Sequence, residues 1–333
     1  VAGILAAFPF LFKEGDVMRI AMYVHYYLPY HFAGSEIYVH ELLKELAASG
    51  HEVKVFATDE SSGEWEFDGI QCVSPKPGTS LHTDVKSFNP DVVITHHKGT
   101  PEAAHLARAT NAKLVQVVHN ERSYVHMLLD HGAELVIYNS QHVADAFTAK
   151  FPYPYEVLYP PTRPERHRTE PGDRVTLVNL QPAKGSDVFY ELVARMPDVE
   201  FLGVEGGYGE QRFDTHPNVV FQRQTTNMRD DVWARTKVLL VPSTYESWGM
   251  VGVEALASGI PVIASPTPGL LESLDYAGVF VPQDDVRSWE RELRKLLDNE
   301  DVYAAASRLA LKRSADLDPA EALARVVRRI EQL

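Results

Sequence analysis

The sequence predicts an α/β protein built from two facing, doubly wound Rossmann-like domains, and three observations carry that expectation. Short Val/Ile/Leu-rich runs alternate with helix-period segments from residue 18 onward. The apolar runs are not broken by a polar residue at every second position, which is the pattern of a parallel sheet covered on both faces. The alternation stops once, at a proline-rich stretch, and then starts again. A length of 333 residues fits two domains of ordinary size.

Taken in order, residues 19–24 read as a buried strand. Residues 35–49 read as an amphipathic helix with Ile37, Leu42, Leu43 and Leu46 on its apolar face, stopped by Gly50, and 52–57 as the next strand. Strands are expected at 91–95, 114–118 and 134–138, with helices at 100–109 and 140–150. Pro152, Pro154, Pro160, Pro161, Pro164 and Pro171 then follow at a density that neither helix nor central strand tolerates, so this stretch reads as a linker. The second half gives strands at 174–179, 199–203, 218–221, 237–241 and 260–264, and helices at 185–196, 228–235 and 249–258. A last helix is expected at 319–332.

The expected organisation is an N-terminal domain over 18–160, a linker over 161–173, a C-terminal domain over 174–315 and a helical segment over 316–333 that packs back toward the first domain. Residues 1–17 read as an extension, because Met18 stands directly before the first strand. Its apolar part, 1–12, is too short to span a bilayer and contains Pro9. It also lacks the basic flank and small-residue cleavage site of a secretory signal.

A formal net charge of −14 argues against a non-specific nucleic-acid binder, which needs a cationic surface to displace phosphate counterions. It gives no support for docking on anionic lipid either. Cys72 is the only cysteine, so neither an intrachain disulfide nor a Cys-rich zinc site can form. This usage suits a cytoplasmic protein. Nothing in the pattern assigns an oligomeric state.

The most informative segment is 242–265, which runs strand end, loop, helix, tight turn, strand. Glu246 lies in the loop and Glu254 eight residues later inside the helix, while Gly249 and Met250 open that helix with free amides. A carboxylate is a natural acceptor for the vicinal hydroxyls of a ribose or hexose. Alone, such a pair is more often two solvated helix charges. The flanking Pro242, Ser243, Gly249, Met250 and the run 255–263 favour the functional reading over the bland one.

With these motifs the chain resembles family 4 of the retaining glycosyltransferases, from about Met18 to the C-terminus. The same likeness extends over the glycine-containing loop and helix at 32–46, the strand end Val117-Val118-His119-Asn120, and the segment 179–185. The resemblance implies a GT-B fold with an interdomain cleft. It further implies transfer of a hexose from a nucleotide-diphosphate sugar, such as UDP- or GDP-hexose, to an acceptor that the sequence does not identify. No metal is implied, because in this family a lysine and helix amides neutralise the leaving diphosphate.

Residue by residue, the resemblance gives Lys184, followed by Gly185 at a helix start, the role of holding the diphosphate. It makes Gly34 the glycine whose missing side chain lets the backbone approach that group. Glu254 would grip the ribose and Glu246 the donor sugar, with Trp248, Gly249, Met250 and Val251 lining its hydroxyls. Thr226 and Met228, beside Thr225, fall where the base lies. His119 matches a histidine near the anomeric carbon, and with His119, Glu246 and Lys184 as catalytic residues no enzymic nucleophile is required. Asn179 stands where relatives carry a diphosphate-binding arginine, and a neutral amide cannot supply that charge. Either Arg122 or Arg223 compensates, or the grip is weaker. Trp248 replaces a more usual phenylalanine, a change expected to resize the sugar pocket.

Tyr27, Tyr30 and Tyr124 are candidate acceptor-binding aromatics, set against ordinary packing. The glycine-rich run 203–209 reads as a loop lining the donor site rather than a dinucleotide fingerprint, since no helix opens directly on it. His96, His97 and His105 are read as structural or acceptor-facing rather than metal ligands, because adjacent strand residues point apart. A sugar-nucleotide epimerase or phosphorylase of the same fold, and a non-catalytic sugar-binding scaffold, stay open as alternatives.

Overall fold

The computed structural model describes residues 17–59, 63–76, 78–207 and 209–333, so all but the last position of the expected extension 1–17 lies outside the described residues. The first half forms β1 (Arg19–Val24), α1 (Gly34–Ala48), β2 (Glu52–Ala57), β3 (Gly63–Phe67), β4 (Ile70–Ser74), α2 (His82–Phe88), β5 (Val92–His96), α3 (Thr100–Thr110), β6 (Lys113–Val118), α4 (Val125–Leu129), β7 (Leu135–Tyr138), α5 (Gln141–Phe147) and β8 (Tyr155–Val157). The sheet order is β3-β4-β2-β1-β5-β6-β7-β8, parallel throughout except for the β3–β4 pair. β1, β5, β6 and β7 are buried along almost their whole length, as their uninterrupted apolar runs require.

The β3–β4 hairpin escapes the helix-strand alternation. Its turn is Asp68-Gly69, with φ of 48° and 79°, both in the left-handed region that a two-residue hairpin turn needs. The proline-rich stretch is also more ordered than a bare linker. β8 adds the outermost strand beside β7, where Pro154 contributes its carbonyl to Val136 N–H at 2.9 Å. The single turn α6 (Pro164–His167) starts on a proline, the position where a missing N–H costs nothing.

The second half forms β9 (Arg174–Val178), α7 (Ser186–Arg195), β10 (Phe201–Val204), β11 (Val219–Gln222), α8 (Met228–Asp231), β12 (Thr236–Val241), α9 (Met250–Leu256), β13 (Val262–Ala264), α10 (Pro268–Leu274), β14 (Gly278–Phe280), α11 (Val286–Asp298), α12 (Glu300–Asp316) and α13 (Ala320–Glu331). The sheet order β11-β10-β9-β12-β13-β14 is all parallel and reverses direction between β9 and β12. The expected helix 228–235 breaks after Asp231, so that Val232 and Trp233 both reach the core.

α13 carries the chain back to the first domain. Leu323, Val326, Val327 and Ile330 recur at helical spacing and are buried in the cluster that also holds Leu42 and Leu46 of α1. Burial of such side chains contributes about 1.5–3 kcal/mol each. His51 Nε2 meets Glu331 Oε1 at 3.1 Å beside them. Among the described residues, no helix is long and apolar enough to cross a membrane.

Candidate active site in the interdomain cleft

Open α/β sheets bind ligands beyond the carboxyl ends of their strands, at the point where strand order reverses. Here the strand order reverses between β1 and β5 in one sheet and between β9 and β12 in the other. Between them lies a cleft of about 850 Å³, lined by both domains. Gly34, His119, Asn179, Lys184, Thr226, Met228, Glu246, Trp248, Gly249, Met250, Val251 and Glu254 all line it.

On the C-terminal wall, Lys184 ends a single turn after β9 and donates from Nζ to Glu246 Oε1 at 2.5 Å. Ser243 Oγ donates to the same oxygen at 2.9 Å, so the carboxylate is oriented from two sides. Gly249 precedes α9 with φ 84°, and a Cβ there would lie 2.5 Å from Leu270 Cδ2. Across the cleft, a Cβ on Gly34 would stand 3.1 Å from Met250 Sδ. The starts of α1 and α9 therefore approach each other from opposite domains. Gly185, by contrast, is not a lining residue. Its φ of 87° and a phantom Cβ 2.4 Å from Pro242 Cγ give it a conformational role, that of letting α7 begin tight against the loop after β12.

Glu254 is buried on α9, and burial pushes its carboxyl up to about 8. His167 Nδ1 lies 3.8 Å from Glu254 Oε2, beyond hydrogen-bond reach, and burial lowers that imidazole to about 4. Two neutral groups therefore meet where the ribose is expected. Trp248 is 2 % exposed and stacks on Tyr159 at 4.2 Å between ring centroids. Its extra bulk over phenylalanine goes largely into packing against the first domain's last segment.

Asn179 has φ 72°, a left-handed conformation that asparagine tolerates better than most residues. Its Oδ1 accepts from Gln211 Nε2 at 3.0 Å, and Gln211 Oε1 accepts from the amides of Leu180 and Gly206 at 2.8 and 2.9 Å. The amide thus anchors the glycine-rich loop. Gly206 and Gly207 line the cleft, as that loop's expected place requires. A Cβ on Gly206 would lie 2.4 Å from Asn179 Cγ. Gly206→Ala is expected to displace this loop and weaken nucleotide-sugar binding about tenfold, read by calorimetry, with a change of one or two kcal/mol at most in stability. Of the two candidate substitutes for the missing arginine, Arg223 does not line the cleft; it pairs with Glu205 and lies over Phe213. Arg122 does line it, 4.9 Å above the Tyr245 ring, whose hydroxyl donates to Glu121 at 2.5 Å.

On the N-terminal wall His119 follows β6, edge-on to Tyr38 at 5.0 Å. Its Nε2 shares a hydrogen bond of 2.9 Å with His96 Nδ1. Burial, then the neighbouring His97, holds the His119 imidazole well below its ordinary range, so it is neutral. The expectation that His96 and His97 point apart fails: His97 leaves the strand with φ 51°, which turns its ring back to within 4.7 Å of His96 and 5.0 Å of His119. His105 lies elsewhere, on α3 against His82 at 6.1 Å.

The acceptor aromatics divide. Tyr27 is wholly buried, with its hydroxyl 2.8 Å from His40 Nδ1, and belongs to the core. Tyr30 is 57 % exposed and packs on Trp65 outside the cleft. Tyr124 reaches the site only through its hydroxyl, which meets Asn120 Nδ2 at 3.0 Å and His97 Nδ1 at 3.3 Å. A residue without any sequence signal is Asn139, at the end of β7. Its Nδ2 donates to the His119 carbonyl at 2.9 Å and to Ser247 Oγ of the other domain at 3.2 Å. Glu272 of α10 similarly accepts from the free amides of Gln141 and His142 at the start of α5, at 2.7 and 2.9 Å. These ties hold the two walls in register.

The chain matches the sequence family described as Glycosyltransferase Family 4 over residues 32–166 and that described as Glycosyl transferases group 1 over residues 166–313. It is 30 % identical over 151 residues to a D-inositol 3-phosphate glycosyltransferase of Mycolicibacterium smegmatis, covering 41 % of this chain and 34 % of that protein. To the protein of the same description from Nocardioides sp. it is 24 % identical over 357 aligned positions, covering 80 % and 78 %. The first curated relatives it matches are spanned over about a third of their length or less. Among solved structures, Anabaena Alr3699/HepE in complex with UDP and glucose superposes with a TM-score of 0.76 at 18 % identity, over 95 % of this chain and 100 % of that one. The two facing sheets and this likeness give the fold as GT-B. By its two consecutive domain matches, which meet at the crossover between the sheets, the chain belongs to family 4 of the glycosyltransferases.

Proposed function

We propose that the chain transfers a hexose from a nucleotide-diphosphate sugar to an acceptor with retention of anomeric configuration. The observation that carries this reading is the joint placement of Lys184, Glu246 and Glu254 on one wall of the cleft and neutral His119 on the other. Charge builds on the diphosphate as the glycosidic bond breaks, and Lys184 with the amides opening α9 is positioned to absorb it. Lys184 then exchanges its partner Glu246 for phosphate, which frees that carboxylate, still held by Ser243, to accept sugar hydroxyls. Glu254 accepts the ribose hydroxyls, and His119 offers an uncharged imidazole to the sugar beside the anomeric carbon. Same-face attack, with the departing phosphate taking the acceptor proton, needs no enzymic nucleophile, and none is assigned. The cationic role falls to Lys184 rather than to a resident metal ion.

UDP-glucose is the first donor to test, since a structural neighbour is described in complex with UDP and glucose. D-inositol 3-phosphate is the first acceptor, from the description of the curated relatives. The test is a panel of UDP- and GDP-hexoses incubated with the protein and candidate acceptors after chelator treatment. Proton NMR would read the product. An axial donor linkage retained in the product, at a rate that chelator does not lower, is the expected result. An inverted linkage, or an isomerised donor with no acceptor present, would replace the reading with inversion or epimerisation.

A further inference from the structure

His25 follows β1, His96 ends β5, His97 opens the turn after it and His119 follows β6. β1, β5 and β6 are neighbours in the sheet, so their carboxyl ends gather these imidazoles at the reversal point of the N-terminal domain. The proposed transfer uses only His119. One nitrogen each of His96, His97 and His119 lies within 4.8 Å of the others. His25 stands just behind, 5.8 and 6.0 Å from His96 and His97 between ring centroids. His96 Nε2 and His25 Nδ1 are buried without a hydrogen-bond partner among the described residues. The His96–His119 contact uses the other nitrogen of His96, Nδ1, so Nε2 keeps the ring proton when Nδ1 ligates.

We propose that His96, His97 and His119 bind one divalent transition-metal ion of the imidazole-preferring class, such as zinc or cobalt, and that its fourth coordination position opens on the cleft. Metal–nitrogen bonds of about 2.0–2.1 Å in a tetrahedron set ligand nitrogens roughly 3.3 Å apart. The 2.9 Å contact between His96 and His119 therefore opens slightly and His97 closes in, which side-chain rotation can supply. Hard cations are poor occupants, because they require oxygen ligands and the cluster offers nitrogen alone. Because the ion takes His119 away from the donor sugar, it inhibits the reaction proposed above; this consequence, unlike the binding itself, rests on that reading.

The test is a titration of tag-free, chelator-stripped protein with Co²⁺. One ion per chain is expected, with the visible absorption of nitrogen-bound cobalt, bleached when Zn²⁺ displaces it. His96→Leu and His97→Gln should each weaken binding at least about a hundredfold, beyond the 10–100-fold that follows loss of an outer partner. His96 is buried, so a melting curve checks that variant; His97 is at the cleft wall, and its variant decides the matter if the first fails to fold. Absence of the cobalt spectrum at large excess, or an unchanged spectrum in His97→Gln, would overturn the site. Zn²⁺ should also slow transfer at least about tenfold, reversibly with chelator and at higher concentration in His97→Gln. Zinc-insensitive transfer by the cobalt-binding protein would remove the inhibitory role. Because the spectrum is read without substrate, it judges the site even if no transfer is found.

Discussion

Lys184→Ala is expected to lower the turnover number for sugar transfer about a thousandfold, with the KM for the donor raised by much less. Removing one preorganised charge-stabilising donor costs about 10²–10³ in turnover. The upper end applies here because redundancy is low: Asn179 contributes no charge and is occupied with Gln211, and Arg223 stands outside the cleft. The remaining cleft arginines are committed too. Arg163 and Arg166 pair with Glu41, and Arg229 with Asp230, which leaves Arg122 on Tyr245. The Lys184–Glu246 pair is largely buried, so removing Lys184 also costs stability, which a melting curve separates from the loss of turnover. Glu246 also keeps its bond from Ser243 Oγ at 2.9 Å in the variant. Initial rates at saturating donor, beside a melting curve for each protein, check the prediction. A turnover number within tenfold of the parent would mean that Lys184 does not face the leaving group. Arg122→Ala supplies the companion measurement, and a further loss in that variant would identify the second cation.

The sheets are legible because their strands are buried on both faces, so that apolar runs such as 114–118 and 135–138 stand out without alternation. The β3–β4 hairpin was missed for the opposite reason. It lies at the sheet edge, β3 alternates between half-buried and exposed, and its one local signal is the Asp68-Gly69 turn. On the C-terminal wall the expected site residues lie together because a single contiguous segment, 242–254, supplies most of them. Asn139, Gln211 and Glu272 could not be found that way. Each acts by a hydrogen bond to a residue distant in sequence, and nothing local to an asparagine, glutamine or glutamate announces such a partner. The relative orientation of His96 and His97 differs from expectation for one reason, that the chain leaves the strand at His97. A positive φ at a non-glycine residue is decided by tertiary packing, and one such bend reverses where a side chain points. Tyr27 shows the converse. An aromatic in a loop suggests a binding surface, yet this one fills the core beneath α1.

Binding of a nucleotide sugar is expected to tighten as pH rises toward 8, by up to about tenfold per pH unit, and to level off above it. The sign follows from Glu254. In the ligand-free protein its carboxyl is raised by burial to about 8, so at neutral pH it carries a proton. Ribose hydroxyls that donate to both oxygens favour the carboxylate, so binding lowers that value and one proton leaves. Below about pH 8 this proton release opposes binding, and the opposition fades as the free protein ionises. Folding stability of the ligand-free protein runs the other way. The unfolded chain releases this proton near the ordinary glutamate value, about 4.3, while the folded one keeps it to about 8. Within that window the folded state binds more protons, so Glu254 makes the free protein less stable as pH rises, whereas the donor complex, with Glu254 ionised, is spared that loss. The melting shift produced by UDP-glucose, which does not itself titrate there, should therefore grow from about pH 6 to 8. Glu254→Gln is neutral throughout and should abolish the slope while keeping part of the affinity. Glu254→Ala, which leaves the ribose hydroxyls without an acceptor in a buried site, should weaken binding about a hundredfold. Calorimetry in two buffers of different ionisation enthalpy counts the proton directly. If no proton is released at neutral pH, or if Glu254→Gln keeps the slope, then Glu254 is not the ribose ligand and the pH dependence has another source.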